Sequence, residues 1–211
     1  MSIVLHHLEY SRSTRVIWLL EEMGTPYEMV RHQRDPQTFR APPGLAEVHP
    51  LSKAPTVIVD GHVMVESGAI IEYLIERFGS ETLAPANAKD RPAYLEWLHF
   101  AEGTMASPVI FSALAPRFGG LGPMLGGFMG AEVTKLLDHV ERAVTGHDYL
   151  VGDRLSGADI NMAYLLEVAT VSKQIGERPN TIAYLERLRA RPAYQKSIEI
   201  GGPMIFAAIS A

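Results

Sequence analysis

The residue that most restricts the fold is Pro55, set directly before the apolar run Thr56-Val57-Ile58-Val59. A proline has no N–H to give to a ladder, so next to a sheet it is tolerated at the first residue of a strand or in a turn. The Ala54-Pro55 bond is then either a trans bond that starts the strand or a cis bond in a turn. A cis bond would aim backbone amide and carbonyl groups outward, ready to pair with an extended peptide. Asp60-Gly61 is a tight-turn pair, and His62-Val63-Met64-Val65 is a second short run, which together predict a hairpin.

The segments around this hairpin set its context. Ile3-Val4-Leu5 reads as a short buried strand, followed by a polar loop over residues 6–13. Val16, Ile17, Leu19, Leu20 and Met23 then form an apolar face at helical spacing, closed by Gly24. Residues 27–32 suit a second strand, so the start of the chain is a βαβ unit. Pro36, Pro42, Pro43 and Pro50 interrupt residues 35–51, which predicts surface loop with at most short helical turns. Ser67 opens a helix carrying Ile70, Ile71, Leu74, Ile75 and Phe78, and Gly79 ends it.

Beyond this point the pattern is helical. Residues 80–91 are polar and without apolar period; residues 92–114 read as a long helix bent at Pro108. The glycine-rich residues 119–130 read as a loop or broken turn, and residues 131–144, 156–172 and 180–190 as helices. The expectation is an α/β domain over residues 1–80, a linker over 81–91 and an all-α domain over 92–211.

Composition removes several function classes. A chain of 211 residues that is 47% hydrophobic can bury a core without staples. A net charge of -5 leaves no electrostatic footprint for a polyanion, so nucleic acid is not expected as a partner. The absence of cysteine removes disulfides, thiolate metal sites and any cysteine nucleophile. No run reaches membrane-span length and the N-terminus lacks the pattern of a signal peptide, which points to the cytoplasm. The eight histidines are dispersed apart from His6-His7, so no metal is expected.

Three sets of residues could carry chemistry. Glu66-Ser67 stands at a helix start, where free N–H groups and the positive dipole end attract a carboxylate while Glu66 could pair with an ammonium; together they suit an α-amino acid head group. Taken alone, Ser67 would also serve simply as an N-cap. Lys53 is a cation beside the proline-led strand. Tyr10, Ser11 and Ser13, just before the first helix, offer hydroxyl donors. Met105, Phe111, Phe118, Met124, Met129 and Phe206 could line an apolar pocket or belong to the core.

The sequence His49-Pro50-Leu51-Ser52-Lys53-Ala54-Pro55-Thr56-Val57, with Val65-Glu66-Ser67-Gly68-Ala69-Ile70-Ile71-Glu72-Tyr73-Leu74 after it, resembles the glutathione-binding part of the cytosolic glutathione S-transferases. Leu155-Ser156-Gly157-Ala158-Asp159-Ile160 resembles that family's buried capping box and hydrophobic staple. His-Pro-Leu at residues 49–51 is similar to a microbial and fungal branch.

The resemblance implies a thioredoxin-like N-terminal domain followed by an all-helical domain. A cis Pro55 would let the Ala54 backbone pair with the cysteinyl part of glutathione, Glu66 and Ser67 would hold the γ-glutamyl end, and Lys53 would approach the glycyl end or the peptide backbone. The thiol-activating donor would be Ser11, as in serine-type members, or Tyr10. It further implies a cytoplasmic, homodimeric detoxification enzyme that joins glutathione, as co-substrate, to a small apolar electrophile. Two alternatives stay open: a glutathione-dependent disulfide reductase or peroxidase, and a non-catalytic binding or assembly module.

Overall fold

The computed structural model describes residues 2–205, which divide into two compact units. One runs through Ser80 and takes back Arg191–Met204; the other holds Glu81–Ala190.

The first unit is built on a four-stranded sheet in the order β2-β1-β3-β4. Strand β1 (Ile3–Leu8) is parallel to β2 (Glu28–His32) and antiparallel to β3 (Thr56–Val59), which forms a hairpin with β4 (His62–Met64). The Ala54-Pro55 bond is cis, and β3 starts directly after it. Helix α1 (Ser13–Met23) buries Val16, Ile17, Trp18, Leu19 and Leu20. It ends at Gly24, whose φ of 59° is the left-handed conformation that lets the amides of Gly24 and Thr25 close onto Glu21 and Leu20. The proline-rich connection contains one short helix, α2 (Pro43–Val48). Helix α3 (Ser67–Leu74) adds Ile70, Ile71 and Leu74 to the core.

Strand β1 is longer than its apolar run predicts. His6 and His7 lie within it and are 7% and 2% exposed, because each ring finds a partner: His6 Nδ1 lies 3.0 Å from His32 Nε2, and His7 Nε2 lies 2.9 Å from the carbonyl of Gly201. Buried polar side chains are tolerated when hydrogen-bonded, and such pairing leaves no trace in hydropathy. Gly79 also fails to stop α3. The chain continues through a π turn, Ile75–Gly79, into a short helix α4 (Ser80–Leu83), so the expected linker is partly helical.

The last helix, α10 (Pro192–Gly201), packs on α1 and belongs to the first unit, whereas the sequence placed residues 92–211 together. The side chains explain the attachment. Arg191 grips Glu22 through two bonds of 2.6 and 2.8 Å, Tyr194 meets Trp18 edge-on at 5.1 Å, and Lys196 pairs with Glu21.

In the second unit, α5 (Arg91–Phe100) and α6 (Ala106–Leu114) are joined by a π turn over Ala101–Met105. The irregularity precedes Pro108 by one turn, where the proline ring would clash with the carbonyl of Thr104 in a regular helix. Helix α7 (Gly122–Val144) absorbs most of the segment expected as loop. Its glycines cost helix propensity, but the anchored stripe of Val133, Leu136, Leu137 and Val140 lets the helix propagate back to Pro123.

Helix α8 (Gly157–Val171) forms the centre of this unit, with Ser156 and Asp159 in a reciprocal capping box. Asp159 is fully buried and accepts from Leu150 N (2.9 Å), Ser156 N (2.8 Å), Ser156 Oγ (2.9 Å) and Tyr184 Oη (2.7 Å). Glu141 of α7 takes the amides and side chains of Asn180 and Thr181, which satisfies the start of α9 (Pro179–Arg189).

Candidate active site

Sheet topology brings the candidate residues to one end of the first unit. The C-terminal end of β1 lies beside the start of β3, with His6 opposite Thr56, and the end of β4 lies beside that start, with Met64 opposite Val57. The turn after β1 (Tyr10, Ser11), the segment before β3 (Lys53, Ala54, Pro55) and the segment after β4 (Glu66, Ser67) therefore share one end of the sheet. Pro55 and Ser67 are buried, Ala54 is half-buried, and Lys53 and Glu66 are exposed.

Glu66 is the residue that precedes the first turn of α3, with φ 72° and ψ 112°. Its carbonyl accepts the amide of Ile70 at 2.9 Å, and Ser67 is the first helical residue, so the bland reading of Ser67 as N-cap is displaced by one position. Tyr10 (φ 51°) and Ser52 (φ 49°) also adopt the left-handed conformation that non-glycine residues avoid. Strain of this kind gathers where a site over-determines the backbone.

The backbone at Tyr10 is held by a residue the sequence reading passed over. Arg34 donates to the carbonyls of Glu9 (3.0 Å), Tyr10 (3.1 Å) and Phe39 (3.0 Å), and its own amide reaches Glu9 Oε1 at 3.0 Å. Its guanidinium lies over the Phe39 ring, against which Tyr10 stacks. Arg34 sits in a polar stretch and looks like a solvated charge in the sequence; only the fold reveals three carbonyls converging on it.

Ser11 is buried, with its hydroxyl donating to Leu8 O at 2.7 Å and accepting from the amide of Ser13 at 3.1 Å. Ser13 Oγ lies 2.7 Å from Ser11 Oγ and 2.9 Å from His7 Nδ1, and it accepts the amide of Leu8 at 3.2 Å. A carbonyl only accepts, so the His7 nitrogen facing Gly201 carries the proton, and in the neutral ring Nδ1 accepts from Ser13. Burial holds the pKa of His7 below its ordinary value, and burial does the same for His6 and His32.

An open cleft of about 330 Å³ adjoins this turn, walled by Glu9, Tyr10, Arg31, His32 and the end of α10. Of the residues considered for an apolar pocket, Met105 belongs to the core of the second unit, whereas Phe111, Phe118 and Met124 are exposed there. Phe206 lies outside the described residues. Among the described residues, no three His, Asp or Glu side chains converge as a metal site, and no helix is long and apolar enough to cross a membrane.

Residues 2–76 match the N-terminal domain of glutathione S-transferases, and residues 130–192 match their C-terminal domain. Glutathione S-transferase 3 of Zea mays is 32% identical, over 87% of this chain and 87% of that protein. The chain belongs to the glutathione S-transferase family. Glutathione S-transferase 3 of Schizosaccharomyces pombe is 28% identical over 93% of this chain and 87% of its own length. Among solved structures, a glutathione S-transferase from Actinobacillus pleuropneumoniae superposes with a TM-score of 0.86 at 29% identity, covering 98% of this chain and 95% of that one. As a glutathione S-transferase, the chain keeps the proline-led strand and the Glu-Ser helix start of its sequence motif on adjacent strand ends of one sheet.

Proposed function

We infer that this enzyme binds reduced glutathione along the edge formed by Lys53, Ala54, Pro55, Glu66 and Ser67, and transfers its thiolate to a small electrophile. The observation that carries the reading is the meeting of the cis Ala54-Pro55 backbone, the Glu66-Ser67 helix start and the Tyr10-Ser11 turn at one end of the sheet. The extended peptide pairs with the backbone at Ala54. Its γ-glutamyl carboxylate meets the start of α3, where N–H groups are unsatisfied, and its ammonium meets Glu66. Lys53 neutralises the glycyl carboxylate.

The thiol then lies at the turn after β1. A free thiol ionises near pH 8.5, so a donor that favours the thiolate raises the reactive fraction at neutral pH. The Ser11 hydroxyl has only to rotate away from Leu8 O to donate to sulfur, which makes it the first candidate; Tyr10, on the cleft wall, is the second. Catalysis is orientation plus a lowered thiol pKa. Phe111, Phe118 and Met124 give the helical unit exposed apolar surface suited to an apolar acceptor.

The proposal extends to a cytoplasmic homodimer, as the resemblance to the family implies, with isologous faces at α3 around Glu72-Tyr73 and along α5. Sedimentation that finds only a 23.2 kDa species at micromolar concentration overturns the dimer. Calorimetric titration with glutathione, followed by assays with an aromatic halide and a hydroperoxide, tests the main reading. Binding with halide conjugation is expected, and absence of glutathione binding overturns it. Turnover of the hydroperoxide alone would assign the enzyme to peroxide reduction.

A further inference from the structure

Four groups form a continuous buried path in the first unit. Ser11 Oγ and Ser13 Oγ are 2.7 Å apart, Ser13 Oγ and His7 Nδ1 are 2.9 Å apart, and His7 Nε2 holds the carbonyl of Gly201 at 2.9 Å. Ser11 and His7 are 6% and 2% exposed, and Ser13 is fully buried. Hydroxyls at these spacings both donate and accept, so a proton can pass along them with no heavy atom moving far. The path ends at a basic nitrogen, and the carbonyl that holds the proton on Nε2 leaves Nδ1 free to accept from Ser13.

We propose that His7 takes up the proton of the glutathione thiol through Ser11 and Ser13. The proposal rests on the reading that places the thiol at Ser11. Both hydroxyls also reach the carbonyl of Leu8, so Ser11 first turns its proton from Leu8 O to Ser13 Oγ and Ser13 turns its own to His7 Nδ1. The S–H bond then breaks and its proton goes to Ser11 Oγ; the Ser11 proton passes to Ser13 Oγ, and the Ser13 proton to His7 Nδ1. The products are a thiolate and an imidazolium, and nothing is oxidised or reduced. Ser11 ends with its new hydroxyl proton aimed at the sulfur, where it donates to the thiolate. When an acceptor expels an anion, the imidazolium returns the proton through Ser13 and Ser11 to that anion or to water in the site. His7 never touches the substrate, so it is a positioning residue rather than a catalytic one.

The surroundings of His7 set how this balance stands. Burial resists the charged ring, and so do Arg31 and His32 on β2. The Gly201 carbonyl at the end of α10 and Glu9 past the end of β1 favour it, and Glu199 stands on the wall of the same cleft. The ring is therefore neutral while the site is empty. It becomes charged only when a thiolate appears two hydroxyls away, as in paired thiolate and imidazolium groups generally.

Long-range nitrogen–proton NMR of the labelled enzyme at neutral pH reads the charge of His7 directly, while ultraviolet absorbance reads the thiolate. The free enzyme should show a neutral ring protonated at Nε2, and reduced glutathione should convert it to imidazolium in step with thiolate formation. S-methylglutathione, which has no thiol proton, should leave it neutral. A ring that stays neutral while the thiolate forms overturns the relay, as does an imidazolium formed with S-methylglutathione.

His7→Asn separates basicity from scaffolding, since its Oδ1 can accept from Ser13 but cannot take up a proton. The apparent pKa of the bound thiol should rise by about one unit or more in His7→Asn. An unchanged value in a folded variant overturns the proposal, because the hydrogen bond alone would then suffice. If wild-type enzyme does not bind glutathione, the functional reading falls and the relay with it; thiolate formation beside a neutral His7 removes the relay only.

Discussion

His7 and Gly201 are in contact on two sides of one peptide group. The Gly201 carbonyl accepts from His7 Nε2 at 2.9 Å, and a Cβ on Gly201 would stand 3.2 Å from His7 Cε1 and 2.6 Å from Ile17 Cδ1. The last turn of α10 thus leaves no room for a side chain at this position unless the buried Ile17 methyl and the His7 ring give way. Gly201→Ala should lower stability by about 1 to 3 kcal/mol, the usual cost of overpacking. Gly130→Ala, in the open part of α7 where a Cβ meets nothing within 4 Å, should instead raise it by about 1 kcal/mol. Urea midpoints of the two variants check this, and equal shifts would mean that the contact at Gly201 is not tight.

Glu66 combines the carboxylate proposed to meet the glutathione ammonium with a positive backbone φ, and two substitutions separate these properties. Glu66→Ala and Ser67→Ala should each weaken glutathione binding by about 1 to 3 kcal/mol, the cost of leaving a charged partner unsatisfied. Glu66→Gly should weaken binding equally while raising stability by about 1 kcal/mol, because glycine adopts positive φ without strain. Calorimetry and melting curves together decide the matter. Full affinity in Glu66→Gly would place the γ-glutamyl end elsewhere.

Asp159 serves the helical unit rather than the chemistry. Asp159→Ala strips an acceptor from two buried amides and from the Tyr184 hydroxyl, and should cost about 3 to 5 kcal/mol. Ser156→Ala removes only the cap and should cost about 1 kcal/mol. Activity per folded molecule should hardly change in either, so a large loss of activity at an unchanged melting temperature contradicts the assignment.

Stability should fall as the solution is acidified through the imidazole range. His6, His7 and His32 are held below their ordinary value of 6.5, chiefly by burial, while the unfolded chain titrates near that value. Below pH 6.5 the unfolded state therefore binds protons that the native state refuses, and the loss continues until the depressed native values are reached. Above pH 6.5 these rings are neutral in both states and add no slope. The denaturant midpoint should drop between pH 7 and pH 5, and His6→Gln or His32→Gln should flatten the drop; an equally steep drop in both variants assigns it to other groups.

Most of the sheet was legible because Val57, Val59 and the Asp60-Gly61 turn carry their own instructions, and Pro55 announces where the strand begins. The helix start of the proposed clamp was legible for a similar reason: Glu66-Ser67 follows a hairpin and opens an apolar helix. What stayed hidden depends on partners distant in sequence. His6 and His7 look like loop residues until His32 and Gly201 meet them. Arg34 looks solvated until three carbonyls turn toward it. The start of α7 was misread because local glycine content predicts loop, while the helix is anchored by residues that lie further along.

The return of α10 to the sheet makes the first unit discontinuous, with the whole of Glu81–Ala190 inserted between its parts. Synthesis runs from the N-terminus, so β1, α1 and the hairpin leave the ribosome long before the residues that close over Trp18 and pair with His7. Until then Glu22, Trp18 and the His7 ring lack the partners that α10 supplies. The inserted helices are contiguous in sequence and can reach their core first, so the unit that begins the chain is the one completed last.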